Sequence, residues 1–361
     1  MNQILMTLMA FGAVCGGVDR ILGNRFGLGK KFEEGFMLLG PLALSMPGIM
    51  CLIPAVSGMV EKVLAPICLF LHLDPGTFGG ILAIDMGGYQ LAVNLAVNPA
   101  IGQFAGILIA ATFGCTVVFT IPVGMSMVPA EARSSFARGL LLGFLVLPLT
   151  LLTGGIVSGL TTKEILTASA PIICLALILC IGMTRCPEKM IRGFSKAAKG
   201  IEIFSTVGLI LVTVRYLTGF EILPGMITLE EAMQVVCSIG IVMLGSLPLA
   251  ELIKRLMDRP IRWFGRRTGM NSDGTTGLLI GAISVTPALA MFEHMDDRSR
   301  VVNGAALVSG ASALAAHFGF TLAMEPELVP ALLVGKFAGM LGSIILALIV
   351  TGKDPKPRQP A

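Results

Sequence analysis

One carboxylate stands alone inside the apolar stretch 77–99, TFGGILAIDMGGYQLAVNLAVNP: Asp85, followed at once by Gly87 and Gly88. A charge is costly in hydrocarbon, and a glycine pair weakens a helix where it must keep its own hydrogen bonds. The pattern reads as two half-helices meeting near Asp85, with loose backbone facing a polar cavity. A carboxylate placed there can supply the counter-charge for a substrate or ion. It can also cap the second half-helix, where negative charge suits the N-terminal dipole. Ionisable residues within membrane segments favour the first role, and the two are compatible.

The neighbours extend the chemistry. Gly87 and Gly88 permit the break and let backbone approach a substrate. Tyr89 can stack on a cation or simply pack, and Gln90 and Asn94 continue the segment towards the cavity. A second apolar stretch, 274–292, is interrupted at Ser284-Val285-Thr286-Pro287. Ser284 and Thr286 offer hydroxyls either to a substrate or to the break itself. Both interrupted stretches are therefore expected to hold the substrate of a membrane transporter.

Other polar residues have bland readings beside functional ones. Glu33 and Glu34 stand at the start of a span, where carboxylates commonly suit the helix dipole; Glu34 is also a gate or site candidate. His317, within SGASALAAHFGF, reads as a packing histidine, a proton relay or a polar cavity wall. Asn303 falls on the same expected helix, about four turns away. Lys336 is the odd cation of the last span, expected to snorkel or to pair with a carboxylate such as Glu325. Glu293, His294, Asp296 and Asp297 lack metal-site spacing and read as a solvated turn. No metal or cofactor is expected. There is no P-loop, no catalytic Ser or Cys constellation and no nucleic-acid signature.

The elements that must position these residues follow from composition. The chain has 361 residues, 55% of them hydrophobic and only 13% charged, against about 25% charged in soluble domains. A soluble enzyme is excluded in favour of a polytopic membrane protein embedded in the lipid bilayer. Eight cysteines are scattered, without a C-x-x-C pair, and read as small packing residues. The opening MNQILMTLMAFGAVCGGVDRIL has no positive n-region and no A-x-A site, so it reads as a first transmembrane helix. About nine runs are long enough to span: 3–19, 36–59, 101–127, 137–160, 165–183, 201–218, 232–252, 301–323 and 328–350. Stretches 60–73 and 254–269 are amphipathic.

The order of elements repeats. MVEKVLAPICLFLHLDPGTFGGILAIDMGGYQLA has the pattern of LIKRLMDRPIRWFGRRTGMNSDGTTGLLIGAISVTPALA, and Glu33-Glu34 is matched by Glu230-Glu231. Repeat one covers about 1–160, a linker helix about 165–184, and repeat two about 200–350, all within one transmembrane domain over 1–361. Repeats with interrupted helices at matching places mark secondary transporters. All but four of the 26 basic residues, Lys62, Lys163, Arg215 and Lys336, fall in six clusters. Those clusters share one side if each broken segment enters and leaves by the same face. The halves are then inverted, two re-entrant hairpins enter from opposite faces, the N-terminus is outside and the C-terminus cytoplasmic. The fold expected is thus all-α, with inverted repeats and an elevator-like movement, which leaves room for a homo-oligomer, a dimer in the simplest case.

Several strings carry a family resemblance: FEEGFMLLG at 32–40, AIDMGGYQLA at 83–92, VVFTIPVG at 117–124, CPEKMIRGF at 186–194, FEILPGM at 220–226 and HFGF at 317–320. In this order, over nearly the whole chain, they resemble the bacterial ethanolamine-utilisation permease family. The resemblance implies ethanolamine uptake across the cytoplasmic (inner) membrane, feeding a cobalamin-dependent ammonia-lyase in a microcompartment. Ethanolamine at neutral pH is mainly a small ammonium with a hydroxyl, so Asp85 would face the ammonium. Alternatives are another small amine or nucleoside-like solute, or a membrane sensor that does not transport.

Overall fold

In the computed structural model, which describes residues 2–84 and 87–352, every regular element is a helix and no strand occurs among the described residues. The chain runs through α1 (Asn2–Ile21), α2 (Leu28–Met37), α3 (Leu39–Leu71), α4 (Gly76–Gly79), α5 (Gly88–Leu95), α6 (Pro99–Phe104), α7 (Ile121–Met127) and α8 (Arg133–Val157). It continues through α9 (Thr162–Arg185), α10 (Pro187–Thr218), α11 (Leu229–Thr268), α12 (Ser272–Ile283), α13 (Val285–Ala290), α14 (Asp297–Gly310), α15 (Ala316–Met324) and α16 (Val329–Thr351). Between α6 and α7 the backbone stays helical but widens to π geometry over Ala105–Gly114 and Thr116–Thr120. Lipid offers no hydrogen bonds, so an apolar chain of this composition must satisfy its backbone within helices. Local chemistry sets many of the ends. Thr161 and Glu164 form a reciprocal capping box for α9, and Thr228, Asn271 and Asp296 cap α11, α12 and α14.

Among the described residues seven helices are long and apolar enough to cross a bilayer, fewer than the nine runs expected. Run 3–19 forms α1, a helix that is not among the seven. Run 301–323 is not one helix: α14 stops at Gly310, residues 311–315 form turns, and α15 starts at Ala316. Ser312 takes φ +52°. The amides of Ser312 and Leu314 donate to the carbonyls of Gly281 and Ala282 at 3.0 and 2.8 Å. Groups released by one interrupted helix are thus met by the end of another, as membrane depth requires. A second correction concerns the amphipathic stretches. Residues 60–73 and 254–269 are not separate elements but mostly the outer turns of α3 and α11, which run unbroken for 33 and 40 residues. Pro54, Pro66, Pro248 and Pro260 lie inside these helices and do not end them. A proline removes one helical hydrogen bond, a loss that neighbouring groups in a membrane helix can make good.

Each interrupted stretch closes on itself. The Asp74 carboxylate accepts from the amides of Gly76 (2.8 Å), Val97 (3.3 Å) and Asn98 (2.8 Å), so the segment 75–97 begins and ends at one place. In the second, the Asn271 amide donates to Asp296 at 2.8 Å and its side chain to the His294 carbonyl at 2.7 Å. The acid and amide exchange positions between the two clasps, about 200 residues apart. The long helices also cross in a matched way. A Cβ added at Gly48 of α3 would sit 1.8 Å from the Ser205 carbonyl oxygen of α10, and one at Gly208 would sit 2.1 Å from that of Gly48. A Cβ at Gly12 of α1 would sit 2.2 Å from the Gly245 oxygen of α11, and one at Gly245 would sit 2.0 Å from that of Met9. The helix through Ala105–Gly114 forms the centre, with Ala105, Ile109, Ala110 and Ala111 wholly buried. Around it pack α8, α14 and α16, where the Thr150 and Ser309 hydroxyls bond at 2.8 Å.

Candidate functional site

Asp85, the first sequence candidate, lies outside the described residues, as does Met86. The chain on either side is closely packed. Ala83, Ile84, Gly87, Gly88 and Tyr89 are buried. Gly87 takes φ +79° and a Cβ there would lie 2.2 Å from Ile49 of α3; one at Gly88 would lie 2.4 Å from the Leu82 carbonyl oxygen. Both glycines are needed for this turn, one for its left-handed backbone and both for close approach.

Tyr89 opens the first of two polar assemblies. Its hydroxyl donates to Glu325 Oε1 at 2.6 Å, and Gln103 Nε2 donates to the same oxygen at 2.9 Å. The Tyr89 ring packs edge-on against Phe320 with centroids 5.7 Å apart. Its role is therefore to fasten α5 to α15. One turn before Phe320, His317 is buried and its Nδ1 lies 3.1 Å from Lys336 Nζ, which also donates to the Ala111 carbonyl at 2.6 Å. The expectation that Lys336 snorkels or pairs with Glu325 is corrected: Lys336 is fully enclosed, and Glu325 is bonded to Tyr89 and Gln103.

The second assembly surrounds a cavity of about 570 Å³. It is bounded by Lys31 and Glu34 of α2, Glu251 and Lys254 of α11, and Ser284, Thr286 and Pro287 at the break between α12 and α13. Leu247, Ile280 and Ile283 are among its apolar walls. Ser284 is extended at φ −153°, and its amide closes α12 by donating to the Ile280 carbonyl at 2.7 Å. Glu34 pairs with Lys31. Glu251, whose side chain is 15% exposed, pairs with Arg255 at 3.0 Å and Lys254 at 3.4 Å. Two carboxylates, two ammonium groups and two hydroxyls at the mouth of an apolar pocket can orient a small molecule bearing both charge and a hydroxyl.

The sequence candidates thus fall into groups. Glu34, Ser284 and Thr286 share the cavity, and Tyr89 and His317 share the α15 side. Gln90 is half-buried and its carbonyl accepts from Asn94 at 2.8 Å. Asn303 joins neither group. Its buried side chain donates to the carbonyls of Gly274 and Ser299 at 2.8 and 2.9 Å, locking α12 to α14. Asp296, Asp297 and Glu293 serve the turn before α14: Asp296 accepts from the Ser299 amide at 2.8 Å, and Arg300 bonds Asp297 and the Glu293 carbonyl. Glu251, Gln103 and Glu325 were not singled out as site residues. Glu251 looks from sequence like the acidic half of helical pairs with Lys254 and Arg255. The signal that could have found it is its place at the end of an apolar run.

Residues 1–350 match the family model described as "Ethanolamine utilisation protein, EutH". The chain is similar to the "Probable ethanolamine permease EutH" of Listeria monocytogenes, 35% identical over 98% of this chain and 95% of that one. It is likewise similar to the protein of the same description from Escherichia coli, 32% identical over 98% of this chain and 96% of that one. The "Uncharacterized protein YxeR" of Bacillus subtilis is 34% identical over 99% of this chain and 97% of its own. No solved structure matches the chain.

Proposed function

The chain belongs to the EutH family of ethanolamine utilisation proteins, and from that premise we propose that it carries ethanolamine inward across the cytoplasmic membrane by alternating access. The observation that carries this reading is the end-to-end match to relatives named as ethanolamine permeases. The family is one of permeases, not of enzymes. Two self-closing interrupted stretches support a carrier, because discontinuous helices bring ionisable groups and free backbone to one depth.

Asp85 is the proposed acceptor for the substrate ammonium, with Gly87, Gly88, Tyr89 and Gln90 shaping its surroundings. Glu34, Ser284 and Thr286 line the aqueous approach, where a hydroxyl of the substrate finds hydroxyl partners. The matched clasps and the matched glycine crossings support two inverted repeats, with the N-terminus outside and the C-terminus cytoplasmic. An elevator-like movement of the hairpins against α3 and α11, in a homodimer, is the cycle proposed.

Purified protein in proteoliposomes, given labelled ethanolamine, tests the reading. Native protein should equilibrate or accumulate the label. Asp85→Asn should fold normally and lose about tenfold or more in flux, the loss expected when the counter-charge to a bound ammonium is removed. Unchanged flux in Asp85→Asn assigns that carboxylate to helix capping. Ligand binding without flux in native protein would point to a sensor, and stronger uptake of another amine or a nucleoside in a competition panel would change the substrate.

A further inference from the structure

Lys336 is used by nothing in the reading above. It lies within α16, and its side chain is 0% exposed. Nζ donates to the Ala111 carbonyl at 2.6 Å and lies 3.1 Å from His317 Nδ1. To accept from an ammonium at Nδ1, the imidazole must carry its proton on Nε2. Cys115, one turn beyond Ala111, is also buried.

A lysine within a membrane helix normally stretches towards the interface, because burying its charge is costly. This one is held inward by two acceptors of particular kinds. Ala111 belongs to the π-helical stretch, a widened backbone frequently found at functional sites. His317 follows directly on the interruption at 311–315. The preceding helix α14 ends at Gly310, packed against Met340, one turn along α16 from Lys336. Carbonyls of irregular backbone and the C-terminal ends of half-helices are the groups with which secondary transporters hold a coupling cation.

We propose that the Lys336 ammonium is a tethered cation occupying this position in place of a sodium ion, so that transport proceeds without sodium as co-ion. The proposal rests on the transport reading. It is tested by initial rates of ethanolamine uptake in proteoliposomes with sodium on both sides or with potassium in its place. Native protein is expected to transport equally in the two salts. Lys336→Met keeps most of the side-chain volume without the charge and is expected to lose about tenfold or more in rate in both salts, while remaining monodisperse. Lys336→Ala empties the position and should recover part of its rate in sodium but not in potassium.

Native flux that requires sodium overturns the proposal. So does a folded Lys336→Met with native flux, or a folded Lys336→Ala on which sodium has no effect. If both variants fail to fold, the native comparison alone still decides. Absence of any native flux in either salt is a different outcome, and sinks the transport reading itself.

Discussion

A phenol and an amide meet on one oxygen of Glu325, and through it the first interrupted stretch is fastened to the far half of the chain. Hydrogen bonds to a charged acceptor are worth about 1.5–3 kcal/mol, and this acceptor is only half-buried, so the lower end applies. Tyr89→Phe should therefore speed amide hydrogen exchange across α5 by about tenfold, with little change in the rest of the fold. Unaltered exchange there would show that the bond does not fasten the helix. At this scale the sequence was half legible. Tyr89 and His317 could be singled out because polar groups are rare in apolar runs. Their pairings could not, since Tyr89 meets Glu325 across 236 residues and no helical pattern links His317 to Lys336 on a different helix. Lys336 was expected to snorkel or to pair with a carboxylate such as Glu325; helix packing gave it His317 and the Ala111 carbonyl instead.

The elements were legible where chemistry is local. The pair Gly87-Gly88 announced one interruption and Ser284-Val285-Thr286-Pro287 the other, and the structure has breaks at both. The interruption at 311–315 carries neither proline nor charge. It is stabilised by amides reaching Gly281 and Ala282 in another element, which no helical pattern records. The amphipathic character of 60–73 and 254–269 misled in the opposite sense, since those residues continue α3 and α11 without a break. The clasps at the bases of the interrupted stretches give a direct test of what shapes them. Asp74→Ala leaves three backbone amides without their acceptor and should cost about 2–3 kcal/mol, seen as a lower unfolding midpoint in detergent. Asn271→Ala removes a helix cap but keeps the backbone bond to Asp296, so its cost should be nearer 1 kcal/mol. The reverse order would mean that the clasps do not hold the stretches closed.

The whole molecule is organised by exchange between halves: α1 packs on α11, and α10 packs on α3. Both crossings are made at glycines where a side chain would meet a carbonyl oxygen at about 2 Å. Gly48→Val and Gly245→Val should each force a crossing apart and destabilise the fold by similar amounts, about 1–3 kcal/mol, seen as a lower unfolding midpoint. A large loss in one and none in the other would count against equivalent halves. The order of elements suggests a repeat but says nothing about which part of the chain a helix packs against, so the pairings of α1 with α11 and of α3 with α10 were not legible.

That exchange bears on how the protein is made. During synthesis α1 is complete long before its larger partner α11 has left the ribosome, and α3 likewise waits for α10. Neither half can finish assembling until the second is nearly complete. A nascent chain arrested before α11 should accordingly be a substrate for quality-control proteases, not a smaller, self-sufficient bundle.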